Sequence, residues 1–113
     1  MKFIAAYIQP FAEDKVTDAL REKNIHGVTV VNCKGFGRRA DDASADYLDR
    51  EVEMGFAPKI KIEIVCGDDQ AETIVRTIAE KGHTGRYGDG KIFMWDVCQA
   101  MDIRTGQQGE AVL

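Results

Sequence analysis

The stretch Lys59-Ile60-Lys61-Ile62-Glu63-Ile64-Val65 alternates charged and apolar residues as far as Ile64. Side chains on an extended chain point to opposite faces in turn, so this run predicts a strand with one face buried and one wet. A helical pattern follows it, with Asp68 or Asp69 as the cap, Ile74, Val75 and Ile78 on one side, and an end near Glu80 before Gly82 and Gly85. Lys91-Ile92-Phe93-Met94-Trp95-Asp96-Val97-Cys98 then reads as another strand. The first part of the chain has the same order. Lys2 to Ile8 is a strand that stops at Gln9-Pro10. From Ala12 the spacing is helical, with Val16, Ala19 and Leu20 on one face and Asn24 near the end, and Val28 to Cys33 is a β-branched strand. Two β-α-β units in so short a chain predict an α+β, ferredoxin-like βαββαβ sandwich, with two helices on one face of an antiparallel sheet. The other face then needs cover, and Phe3 and Trp95 make self-association the expectation.

Between the two units lies a connection of more than twenty residues, Gly35 to Pro58. Loops longer than about 15 residues are usually functional or disordered. This one opens Gly35-Phe36-Gly37-Arg38-Arg39 and turns acidic, with Asp41, Asp42, Asp46, Asp49, Glu51 and Glu53 against Arg50. It lacks the spacing of a calcium loop, so a solvated, mobile face is the expectation. The length, 113 residues, suits one domain over 1–113. A net charge of -4 argues against a general nucleic-acid surface, although a local basic pocket is compatible with it. No apolar run approaches the ~20 residues of a membrane span, and the N-terminal strand is too short for a signal peptide. Cys33, Cys66 and Cys98 are odd in number, far apart and set among apolar strand residues. They read as small, buried, reduced thiols in a cytoplasmic protein.

Three glycine-rich basic segments stand out: Gly35 to Arg38, Thr84-Gly85-Arg86-Tyr87-Gly88-Asp89-Gly90-Lys91, and the tail from Arg104 through Gly106 to Gly109. Anions need converging backbone N–H groups and a nearby cation, which such segments supply. Neither a P-loop nor a dinucleotide fingerprint is present. His26 and His83 have no ligand spacing, there is no C-x-x-C, and Asp68-Asp69 reads as a helix start. No catalytic group and no metal site are expected.

With these segments identified, the chain resembles the PII nitrogen-regulatory signal-transduction family over almost its whole length. The resemblance rests on Gln9-Pro10-Phe11, Gly27 to Val30, Lys34 to Arg38, Pro58 to Val65, Thr84 to Phe93, and Arg104-Thr105-Gly106 with Gly109-Glu110. It implies a homotrimer with nucleotide clefts between neighbouring subunits, and a T-loop, about residues 37–57, that docks on target proteins such as a membrane transporter. By position, Gly35, Phe36, Gly37, Arg38 and Arg39 would lie beside the phosphates of ATP or ADP. Tyr87, Gly88, Asp89, Gly90 and Lys91 would wrap them. Thr29, Glu63 and Val65 would frame the adenine from the adjoining subunit, and Arg104 would reach phosphate across the interface.

Several positions depart from the family pattern. Arg39 replaces the glutamine that holds magnesium and 2-oxoglutarate, Gln9 replaces a basic residue, and Asp102 replaces the first of two tail arginines. Val52 aligns with the tyrosine that some members modify, which leaves Tyr47 as the loop tyrosine open to modification. Lys59, the other effector contact, is kept. The resemblance thus implies a divergent member that binds adenine nucleotides without magnesium or 2-oxoglutarate and is not an enzyme. The alternatives are a PII-like sensor of AMP or a small anion controlling a non-nitrogen transporter or enzyme, and a small ferredoxin-like hydrolase. The hydrolase would need an arginine-bearing phosphate loop after the first strand, where Gln9-Pro10-Phe11 has none.

Overall fold

Alternating apolar residues build a four-stranded antiparallel sheet in the computed structural model, which describes residues 1–37 and 55–113. Arg38, Arg39, Tyr47 and most of the expected T-loop lie outside the described residues. The chain runs β1 (Lys2–Ile8), α1 (Glu13–Glu22), β2 (Val28–Gly35), β3 (Ala57–Cys66), α2 (Asp68–Gly82) and β4 (Gly90–Asp96), with short 3-10 turns at Pro10–Ala12 and Glu110–Val112. Strand order across the sheet is β2-β3-β1-β4. This is the ferredoxin-like α+β arrangement expected from the repeated pattern.

The alternation decides which residues meet. Ile60, Ile62 and Ile64 of β3 and Ile4, Ala6 and Ile8 of β1 face the helices and are buried with Val16, Leu20, Ile74 and Ile78. The intervening residues form the other face, where β-register sets Thr29 opposite Glu63, Cys33 opposite Lys59, and Phe3 between Val65 and Trp95. Among the described residues, no helix covers that face. Phe3 and Trp95 stack there with ring centroids 4.6 Å apart, and Tyr7 meets Phe93 edge-on at 6.2 Å.

Local details differ from the sequence reading in four places. β2 and β3 pair as far as Gly35 and Ala57, shortening the connection at both ends. A proline at position 58 is tolerated because β1 stops opposite Ile60, leaving β3 flanked there by β2 alone. Neither Asp68 nor Asp69 caps α2: the cap position is Gly67, in an extended conformation, and both aspartates sit in the first turn, where they suit the helix dipole. Of the cysteines, all free, Cys66 is buried, Cys33 is half-buried, and Cys98 is exposed because β4 ends at Asp96. Asn24 does end α1, at φ 58°, in the left-handed region that asparagine tolerates. No described helix is long and apolar enough to cross a membrane.

Candidate functional site

The antiparallel order brings four chain positions to one end of the sheet: the end of β2, the start of β3, the end of β1 and the start of β4. That end carries the loop 83–89, between α2 and β4. The carboxylate of Asp89 organises it, accepting hydrogen bonds from the Thr84 N–H at 2.7 Å, the Gly85 N–H at 2.8 Å and the Thr84 hydroxyl. The His83 imidazole lies 3.8 Å away. Two glycines are obligatory here. Gly88 has φ 94° and a Cβ on it would sit 2.6 Å from Gln9 Nε2, while Gly90, at φ 115°, abuts the Tyr7 carbonyl oxygen so closely that no Cβ could enter.

The loop borders an open pocket of about 440 Å³ on the uncovered sheet face, lined by Tyr7, Lys59, Arg86, Tyr87, Gly88, Asp89, Gly90, Lys91 and Phe93. The structure therefore brings together Tyr87 to Lys91 and Lys59, three cations among them counting Arg86. Lys59 donates to the Gly88 carbonyl at 3.2 Å, and the Gln9 amide donates to the same oxygen at 2.7 Å. Burial holds the Lys59 ammonium below the ordinary lysine range, with the Cys33 thiol and the Asp89 carboxylate acting in the opposite sense. Such a half-desolvated cation beside glycine N–H groups suits a phosphate or carboxylate.

Gly35 and Gly37 stand at the same end, where β2 leaves the sheet. Phe36 packs edge-on against Phe56 with centroids 4.9 Å apart, and the Lys34 ammonium lies 5.6 Å from the Phe56 ring centre, so an aromatic pair closes the base of the long connection. Thr29, Glu63 and Val65 share the open face but not the pocket: Glu63 is four residues, about 13 Å, along β3 from Lys59. Glu63 is engaged by Lys61 at 2.8 Å, and the same ammonium lies over the Tyr7 ring. The tail is fastened at the opposite end of the sheet, where Val97 N–H bonds the Met1 carbonyl. Arg104 is exposed in a turn there that Asp102 supports, its carboxylate accepting from the Thr105 N–H at 3.1 Å. Asp102 thus shapes the turn that presents Arg104. Among the described residues, no group of three His, Cys, Asp or Glu could hold a metal ion.

Sequence reasoning grouped Asp89 with the phosphate contacts, yet its carboxylate is turned into its own loop. Desolvation raises its pKa, but the Thr84 and Gly85 hydrogen bonds outweigh that and hold the carboxyl below the usual aspartate range. The stability it lends is complete above the unfolded-state pKa, about 3.9, and disappears as pH falls through the lower folded value. The protection of the Thr84 and Gly85 amides against hydrogen exchange, taken relative to the intrinsic rate at each pH, should therefore fall on acidification below about pH 4, and Asp89→Asn should show reduced protection already at pH 7. Equal protection in Asp89→Asn and wild type would refute the bracing role.

Gln9 is the functional candidate that sequence reasoning missed, since it figured there as a strand end, as part of a family motif and as the loss of a basic residue, never as a hydrogen-bonding side chain. Its place at the end of β1, one residue before Pro10, was the available signal.

The sequence is also similar to known proteins. Residues 1–107 match the family described as Nitrogen regulatory protein P-II. The chain is 47% identical over 109 residues to the nitrogen regulatory protein P-II of Bradyrhizobium diazoefficiens, covering 96% of each chain. It is 46% identical to nitrogen regulatory protein P-II 1 of Escherichia coli K12 and to nitrogen regulatory protein P-II of Klebsiella oxytoca, over the full length of each. A sequence matched along nearly all of its length places the chain in the P-II family of nitrogen-regulatory signal transducers, which are not enzymes.

Proposed function

We propose that the protein assembles as a cytoplasmic homotrimer, binds ATP and ADP in competition at clefts between subunits, and reports the bound nucleotide to a target protein through its T-loop. The observation that carries this reading is the pairing of the glycine loop Tyr87–Lys91, with its cations, and an uncovered aromatic sheet face beside it. A second copy laid on that face would supply the missing wall of the pocket. In such a cleft the backbone N–H groups of Gly88 and Gly90, with Lys91, hold the phosphates. Arg38 and Arg39 add charge from the base of the T-loop, and Arg104 comes from a neighbour. Thr29 and Glu63, side by side in register, offer an edge that can accept a purine amino group once Glu63 leaves Lys61. Val65 packs against the ring. The T-loop leaves and rejoins the sheet at the end that carries the phosphate loop, so a change in phosphate number would alter what its base can contact.

Arginine has five donors, no acceptor and a permanent charge, so Arg39 cannot coordinate magnesium. Gln9 brings no charge to a dicarboxylate, and its amide is engaged by the Gly88 carbonyl. These residues favour a sensor of adenine nucleotides that does without 2-oxoglutarate, and they support a second reading in which AMP or another small anion is the effector and the target lies outside ammonium assimilation. Calorimetric titration of ATP, ADP and AMP, each with and without magnesium and 2-oxoglutarate, tests both. ATP and ADP should compete, with magnesium changing affinity by less than about threefold, an effect under 1 kcal/mol, and with no heat from 2-oxoglutarate. Micromolar, magnesium-dependent 2-oxoglutarate binding would overturn the first reading, and AMP binding above ATP would select the second.

A further inference from the structure

The Gly88 carbonyl is held by two donors of different kinds. Gln9 Nε2 reaches it at 2.7 Å from a residue that is only 7% exposed, at the end of a core strand. Lys59 Nζ reaches it at 3.2 Å from the wall of the pocket. A carbonyl oxygen has two lone pairs and accepts both. The donors differ in freedom. Gln9 is enclosed between the end of β1 and the loop, close enough that a Cβ on Gly88 would collide with its amide. Lys59 sits on a long flexible stem and carries a charge that burial disfavours.

We propose that Gln9 is the positioning residue of the Tyr87–Lys91 loop: its buried amide keeps the Gly88 carbonyl satisfied, so that Lys59 can leave that oxygen for a bound anion without releasing the loop. The inference rests on the anion-binding reading of the pocket only for the destination of Lys59; the holding of the loop by Gln9 belongs to the ligand-free protein. Gly88 is exposed, so were Lys59 the only donor its departure would leave this carbonyl to solvent, and the loop would lose its tether with each binding event. With Gln9 in place, the backbone N–H groups of Gly88 to Lys91 keep one arrangement before and after the lysine moves. The residue thus separates two tasks that one cation could not perform together, holding the loop and meeting the ligand.

Nitrogen-15 relaxation of the full-length, ligand-free protein tests this directly. In the wild type, Arg86 to Gly90 should have order parameters near those of the strands, about 0.85, and one Gln9 Nε2 proton should exchange slowly. In Gln9→Met, which keeps the volume and removes the donor, the same loop amides should fall below about 0.6 while β1 and β3 are unchanged. In Lys59→Met the loop should stay close to the wild-type value. Titration with ATP completes the set: Gln9→Met should bind about tenfold more weakly than wild type, the loss of one hydrogen bond's worth of preorganisation.

A loop as ordered in Gln9→Met as in wild type overturns the proposal, and so does a loop loosened equally by Lys59→Met. If the methionine variant fails to fold, a freely exchanging Gln9 side-chain amide in the wild type is sufficient to overturn it. If wild-type protein binds no ATP but the relaxation results hold, the nucleotide reading fails and the positioning role stands.

Discussion

ATP affinity should fall by about 1.5–3 kcal/mol, roughly 10- to 150-fold, in Lys91→Ala and in Arg104→Ala alike, with the far-UV spectrum unchanged. Lys91 lines the pocket beside Tyr7, whereas Arg104 is exposed in a tail fastened at the other end of the same chain's sheet. Both can touch one nucleotide if each cleft draws on two copies. That arrangement has a consequence no single-chain site shares. Mixing the two variants, unfolding and refolding them together, should regenerate one intact cleft in every mixed trimer, the loop coming from the Arg104→Ala chain and the tail from the Lys91→Ala chain. Calorimetry of the mixture should then show a fraction of sites with wild-type affinity. Absence of tight sites in a mixture proven by mass spectrometry to contain hetero-oligomers would refute the shared cleft.

Phe93→Asp should abolish assembly, and nucleotide binding with it. Phe93 lies midway along the edge strand β4 on the uncovered face, opposite Ala5 and edge-on to Tyr7, and is 49% exposed in the single chain. Burying a carboxylate at that place in a subunit interface, without a partner, costs several kcal/mol on each of the symmetry-related contacts. The helix-facing core of Ile4, Ile62, Ile64 and Leu20 is untouched, so each chain keeps its secondary structure. Light scattering should report monomers at micromolar concentration, and ATP binding should weaken by more than about a hundredfold, the change expected when a two-chain site loses half its contacts. A Phe93→Asp trimer as stable as wild type would show that assembly uses another surface.

Much of this architecture was readable from residue order. Strict alternation in Lys59 to Ile64 announced the two-faced strand, and the helical spacing of Val16, Ala19 and Leu20 identified the buried side of α1. Boundaries were less legible because they depend on neighbours. Pro58 belongs to a strand only because β1 has already ended, and Cys98 is exposed only because β4 stops short of it. The glycine loop declared its suitability for anions through composition, but the inward turn of Asp89 could not be foreseen, since a carboxylate beside Lys91 looks equally able to face solvent, a cation or its own backbone.

The sequence by itself determined the order of elements, the face each strand buries and the kinship with the P-II family, because periodicity and motif spacing are properties of the linear chain. Tertiary structure alone decided that Gln9 and Lys59 share the Gly88 carbonyl across 79 and 29 residues of chain. It also decided that Glu63 is held by Lys61 and that Tyr7, Phe93, Phe3 and Trp95 remain uncovered together. Hydrogen-bond partners and shared faces are set by strand register, and register follows from packing the whole apolar set at once, which no local stretch of residues encodes.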